Sequence, residues 1–176
     1  MVDRDWMNIS YLNQGSEIQR KVYDVVVRSG VMEELAEFDP VLTGTYPIGL
    51  NIPGSDLDVI CSYSDASAFA DFIQMKFKDQ EGFSMTRKLI RDEESIIARF
   101  YYEGFKLEIF GQALPVKEQY AYRHMLIENK ILKEKDPSFR QKIISLKRKG
   151  LSTEEAFANI LGIKGDPYEE LLKLEL

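Results

Sequence analysis

Two aspartates spaced two apart, Asp56 and Asp58, stand at the mouth of an apolar run in "SDLDVIC". Carboxylates are poor strand formers and costly to bury, so a pair flanking Leu57 needs a compensating partner. Side chains alternate along a strand, which puts Asp56 and Asp58 on one face and Leu57, Val59 and Cys61 on the other. Carboxylates held side by side repel one another and raise a pKa unless a cation sits between them. Hard oxygen ligands of this kind suit Mg²⁺ or Mn²⁺. A third acid, Glu108, is embedded in the later run "FKLEIFG", where alternation groups it with Lys106 and Phe110. Asp56, Asp58 and Glu108 on neighbouring strands meet the requirement for a two-metal site.

The loop before the pair, "LTGTYPIGLNIPGS", supplies a second set of groups. Gly44 lets the backbone approach a ligand closely, while the Thr45 hydroxyl and the loop N–H groups suit phosphate oxygens. Ser55, at the far end of the loop, is counted with Gly44 and Thr45 as a nucleotide-binding candidate. A phosphate cradle beside metal-binding acids points to phosphoryl-type transfer, in which the protein mostly positions groups and neutralises charge.

These residues need strands to hold them. The segment 15–38 carries Ile18, Val22, Val25, Val26 and Leu35 at helical spacing, with Ser16 as N-cap and a break near Ser29-Gly30. "PVLTGTY" reads as a strand ending in a turn and "SDLDVICSY" as a second strand. Residues 66–79 place Phe69, Phe72, Ile73 and Phe77 on one helical stripe that should cover a sheet face. "FSMTRKLI", "ESIIARFYY" and "FKLEIFG" have the spacing of an antiparallel meander. After Pro115 the strand signal stops, and the runs beginning at Val116, Pro137, Ser152 and Asp166 read as four helices. Gly150 and Gly162 sit at C-cap positions, Ser152 with Glu155 matches a capping box, and Asp166-Pro167 an N-cap and N1 pair. The expected architecture is α+β: a mixed or antiparallel sheet of about five strands with helices packed on one face, plus a C-terminal helical segment. No flexible stretch divides the 176 residues, so one domain is expected, with a 15–115 core and a helical extension, 116–176, packed on it.

Composition narrows the function. The formal net charge of -6 argues against broad non-specific binding to nucleic acid or anionic membrane. One cysteine, Cys61, and one histidine, His124, exclude a disulfide framework, a multi-Cys zinc site and a His-rich metal cluster, so a metal here must be held by oxygen. The opening "MVDRDWMNISYLN" has acids where a signal peptide needs basic residues, and no apolar run approaches membrane-spanning length. A soluble cytoplasmic protein is expected.

"LTGTYPIGLNIPGSDLDV" resembles the signature of the nucleotidyltransferase superfamily typified by DNA polymerase β: an apolar residue, Gly and a small hydroxyl residue, a loop, then acid, apolar, acid, apolar. "LEI" at Leu107 to Ile109 is similar to that superfamily's third-acid motif, and the whole chain, with "EIFGQ" and "AYRHMLIE", resembles a small uncharacterised bacterial family of domains of unknown function within it. The resemblance implies Asp56, Asp58 and Glu108 as metal ligands and catalytic residues, Mg²⁺ or Mn²⁺ as cofactor, and Gly44 and Thr45 as the phosphate pair. It implies an NTP donor and leaves the acceptor open. Two positions depart from the pattern. Tyr46-Pro47 follows the Gly-Thr where a small and a basic residue are usual, and Glu108 replaces the more frequent Asp.

Other readings compete at each position. An Asp-Leu-Asp triplet alone fits a solvated strand end; its company of Gly44-Thr45 and Glu108 makes it a site. Arg87, Lys88, Arg91, Arg99, Lys106 and Arg123 could contact phosphate, yet meander and helix surfaces are ordinary places for solvated charge. His124 could handle protons or be structural. Cys61 reads as a small core residue. Tyr101 and Tyr120 could stack a base or cover the core. Lys147 to Lys149 lie at a helix C-terminus, where cations meet the dipole favourably. A nucleotide-sugar glycosyltransferase "DLD" would need several βαβ units before it, and an EF-hand would need a glycine turn after Asp58. The sequence thus leaves a metal-dependent nucleotidyltransferase and, as the alternative, an inactive module of that fold binding a nucleotide or a protein partner.

Overall fold

The structure is a computed structural model that describes residues 4–174. Helix α1, Glu17–Ser29, starts at a capping box between Ser16 and Gln19 and stops at Gly30, whose left-handed backbone ends the helix where the break was expected. A short helix, α2, Val31–Glu34, leads to strand β1, Val41–Thr43. Gly44 (φ 75°) reverses the chain into the four-residue helix α3, Thr45–Ile48. The sequence reading placed Tyr46-Pro47 in an open loop. They fold as helix because Pro47 sits in a first turn, where a missing N–H costs nothing.

Strand β2, Leu57–Ser62, is followed by helix α4, Ala66–Phe77, capped by Asp65. The meander follows as β3, Glu81–Ile90, β4, Glu93–Tyr102, and β5, Phe105–Gln112. The five strands form one sheet in the order β1-β2-β5-β4-β3. β1 pairs antiparallel with β2, β2 pairs parallel with β5, and β3, β4 and β5 pair antiparallel, so the sheet is mixed. Then come α5, Tyr120–Glu134, α6, Pro137–Arg148, α7, Thr153–Leu161, and α8, Pro167–Leu172. The run from Val116 does not form one helix: Val116–Glu118 is a 3₁₀ turn, and Gln119 takes extended backbone as the N-cap of α5. Its buried amide donates to the carbonyls of Cys61 (2.8 Å) and Leu114 (3.0 Å), which ties α5 to the end of β2. The final residues of the last expected helix and the first three of the chain lie outside the described residues.

Two apolar clusters sit on opposite faces of the sheet. On one face Leu57, Val59, Cys61, Ile96, Ala98, Phe100, Leu107 and Ile109 meet Val22, Val25 and Val26 of α1 and Phe69, Ile73 and Phe77 of α4. On the other, Val41 and Ile60 meet Ile48 and Leu50 and the C-terminal helices through Met125, Ile131, Ile143, Phe157 and Leu171. The C-terminal helices are therefore a second layer over the face that carries the acids. Among the described residues, no helix is long and apolar enough to cross a membrane.

Gly111 marks where the α4 layer comes closest. A Cβ there would overlap the ring of Phe69, which is fully buried. Gly111→Ala is expected to destabilise by about 1–3 kcal/mol through overpacking. For a chain of this size that lowers Tm by roughly 3–10 °C. Thermal unfolding checks it, and Phe69→Leu in the same chain should recover part of the loss.

Candidate active site

Strand parity and register assemble the acids. Asp58 and Glu108 are direct Cα partners in the parallel β2–β5 ladder, and Glu108 is in turn the partner of Arg99 across β4–β5. Leu57 and Leu107 point into the α1–α4 core, so Asp58 and Glu108 project from the opposite face. Gly44 packs against Asp58 so closely that a Cβ would collide with its carboxylate. The Thr43 hydroxyl donates to the Asp58 carbonyl at 3.4 Å, holding β1 and β2 together beside the acids.

The three carboxylates are compensated unequally. Asp56 takes an ion pair from Lys106 Nζ at 2.9 Å. Glu108 takes Arg99 through Nε at 2.7 Å and Nη2 at 2.6 Å, both onto Oε2. Asp58 has no such pair among the described residues. Burial, then the neighbouring Glu108 and Asp56, push its carboxyl up to about 8, against weaker opposition from Lys147 and Lys106. Among the described residues, no three His, Cys, Asp or Glu side chains converge closely enough to enclose a metal ion as they stand. The donor set is nevertheless all hard oxygen, and the ion pairs account for how Asp56 and Glu108 are held.

Asp58 and Glu108 close one end of a cavity of about 540 Å³, with Thr43, Gly44 and Thr45 beside them. Its other wall is α5, which presents Tyr120, His124 and Glu128 at helical spacing of four. Glu128 is buried, and its Oε1 has no hydrogen-bond partner. Burial and the nearby Glu154 raise its pKa well above the carboxylate range, with Lys147 opposing. His124 Nε2 lies 2.8 Å from the Tyr168 carbonyl, and Nδ1 3.7 Å from Glu154. Burial keeps this imidazole below its ordinary pKa. At the far end Arg91, from the β3–β4 turn, lies 4.2 Å over the Tyr120 ring and pairs with Glu169 at 3.2 Å. The Tyr120 hydroxyl donates to the same carboxylate at 3.0 Å.

Of the expected site residues, Gly44, Thr45, Asp58 and Glu108 line the cavity, while Ser55 and Asp56 do not. The Ser55 hydroxyl accepts from the Ile52 N–H (3.0 Å) and its carbonyl takes the Tyr46 hydroxyl (3.3 Å), so Ser55 holds the loop's shape. Cys61 is buried in the core on the opposite face. Tyr101 is exposed.

Lys147 lies in the last turn of α6, as expected, but it is also buried, which the sequence reading did not anticipate, and its charge interacts with Glu128, Glu154 and Asp58. No carboxylate lies within ion-pair distance of it among the described residues, and burial lowers its pKa. The signal was present: Phe139, Ile143 and Lys147 are spaced by four on the buried stripe of α6.

A family model described as "Domain of unknown function (DUF4269)" matches residues 24–174. No curated protein matches the sequence. Among solved structures, the chain is similar to the GLD-2/RNP-8 complex (TM-score 0.54, 13% identity, 86% of this chain and 60% of that one). It is also similar to the Cid1 poly(U) polymerase with Mg 3′-dATP bound (0.55, 14%, 92% and 51%). A third is the polymerase core of TRAMP, an RNA surveillance complex (0.50, 14%, 94% and 58%). At these identities the likeness establishes the nucleotidyltransferase fold. The chain spans between 51% and 60% of the length of those chains.

The raised Asp58 pKa has a stability consequence. Protonated in the folded state up to about pH 8 but ionised in the unfolded chain above its ordinary value of 3.8, the group stabilises the fold fully below that value and loses this as pH rises toward 8. Without divalent ions, Asp58→Asn is therefore expected to melt higher than the parent. The difference should be about 5 °C or more near pH 8 and shrink toward pH 5, as read from paired thermal unfolding curves across pH.

Proposed function

The chain belongs to the DUF4269 family, a domain of unknown function, and from that premise and its cavity we propose a metal-dependent nucleotidyltransferase that moves a nucleoside monophosphate from an NTP to an acceptor. The observation that carries this reading is the placement of Asp58 beside Glu108 on parallel strands, against Gly44, at the end of a cavity of about 540 Å³. The poly(U) polymerase likeness supports an NTP as donor.

In this reading the phosphates lie against Gly44 and Thr45. Lys147, on α6, does not line the cavity, but its buried charge acts on Asp58 and makes up part of the positive charge that the Tyr46-Pro47 segment lacks. Asp56, Asp58 and Glu108 would hold Mg²⁺ or Mn²⁺, which when bound neutralises phosphate charge. Arg99 and Lys106 pair with two of these acids and keep them oriented in the meantime. The acceptor oxygen forms its new bond to the α-phosphorus as the bond to the bridging oxygen breaks. Pyrophosphate leaves with that electron pair, and the acceptor proton passes to Glu108. Ser55 acts indirectly, by keeping the loop in shape.

A second reading, a module of the same fold that binds a nucleotide or a protein without turnover, draws on the ion pairs that occupy Asp56 and Glu108. Isothermal titration with ATP, GTP, CTP and UTP, with and without Mg²⁺, separates the two when paired with an assay for pyrophosphate. The nucleotidyltransferase reading expects Mg²⁺-dependent binding that an Asp56→Asn/Asp58→Asn double variant loses. Lys147→Met, which removes a buried charge acting on Asp58, should weaken binding about threefold or more. Binding without pyrophosphate release across an acceptor screen favours the second reading; binding unchanged in the double variant removes both acids from the site.

A further inference from the structure

Asp56 and Glu108 face two compartments. Glu108 lines the cavity, but its partner Arg99, and both members of the Asp56–Lys106 pair, do not. Arg99 and Lys106 lie instead on the open part of the same sheet face, about a third exposed, beside the exposed ring of Tyr101, whose Cα partner is Lys106. Each cation grips one carboxylate oxygen: Arg99 puts two nitrogens on Oε2 of Glu108, and Lys106 bonds Oδ2 of Asp56. The second oxygen of each acid has no hydrogen-bond partner among the described residues. Partly exposed ion pairs are weakly held, and a divalent ion on the same carboxylates out-competes a single charge. Once it binds, an ammonium and a guanidinium are left on this open sheet face, with no other carboxylate within ion-pair distance among the described residues.

We propose that Lys106 and Arg99 are exchangeable counter-cations. A divalent ion displaces them from Asp56 and Glu108, and the freed cations then bind an anionic, phosphate-bearing acceptor on the open sheet face. This rests on the nucleotidyltransferase reading and adds the charge class of the acceptor. Arginine and lysine both recognise phosphate, the former through two parallel bonds, and Tyr101 offers a flat apolar surface next to them.

The test uses the full chain. Mn²⁺ is titrated without nucleotide into the parent, Arg99→Met and Lys106→Met proteins. Ribose 5-phosphate, ribose and a five-residue oligoadenylate are then titrated into each protein, Mn²⁺-loaded and metal-free, with a non-hydrolysable NTP analogue present. Removing a competing cation should tighten Mn²⁺ about tenfold in either variant. A phosphate-bearing probe should bind the loaded parent, fail to bind it metal-free, and lose at least tenfold in each variant, while ribose does not bind. Binding of ribose 5-phosphate assigns a small phosphorylated acceptor, and binding of the oligomer alone assigns a polynucleotide. Mn²⁺ affinity that is unchanged or weaker in the variants overturns the exchange. Phosphate probes that bind neither protein, or bind the variants as well as the parent, overturn the acceptor class. A parent that binds no Mn²⁺ strikes the underlying nucleotidyltransferase reading instead.

Discussion

Repulsion between carboxylates brought side by side by one parallel strand pairing governs this molecule. The β2–β5 ladder sets Asp58 next to Glu108, and Asp56 is close enough to add to the charge felt by Asp58. A parallel neighbour cannot be reached by a tight turn, so the chain spends α4 and the whole β3–β4 hairpin returning to β2. That crossover supplies the apolar face, with Phe69 against Gly111, and also the cations: Arg99 comes from β4 and Lys106 from β5. The architecture that creates the repulsion therefore delivers its partial relief.

The C-terminal helices complete the site. Over the acids they lay a wall whose inner side carries Glu128, His124 and Lys147, all buried. Buried charge is tolerated when neighbours compensate it or the group neutralises. Here both happen: burial drives Glu128 toward its neutral form and lowers the pKa of Lys147, while the charges of Glu128, Glu154 and Asp58 pull the lysine back toward its charged form. The shared field adds to the apolar cluster and the Gln119 tether that hold the wall to the strands.

How far the sequence displayed this follows from which interactions are local. Alternation in "SDLDVIC" and "FKLEIFG" sufficed to put Asp58 and Glu108 on one face, because strand parity is a property of consecutive residues. Caps at Ser16, Ser152, Asp166 and Gly162 were equally legible, each being a short-range hydrogen-bond pattern. The register that makes Asp58 and Glu108 neighbours was not, since it depends on fifty residues of intervening chain. The burial of Lys147 was missed for a related reason. A run of three basic residues at a helix end spoke for the dipole, whereas its period on α6 spoke for burial as well. Tyr46-Pro47 and Gln119 illustrate the remaining gap: α3 and the start of α5 are fixed by contacts from distant segments, Gln19 to the Tyr46 carbonyl at 2.8 Å and Gln119 to Cys61 at 2.8 Å.

The clasp at the far end of the cavity joins parts that differ in kind. Arg91 belongs to a hairpin tip and Glu169 to the last helix, and both are about two-fifths exposed. Their attraction is open to screening by dissolved ions, whereas the Tyr120 hydroxyl bond to the same carboxylate and the Gln119 tether are not charge pairs and are far less affected. Ionic strength therefore acts at this seam: it loosens the hairpin's hold on the tail and leaves the helical wall attached to the sheet. The width of that end of the cavity becomes a property of the surrounding solution as well as of the fold.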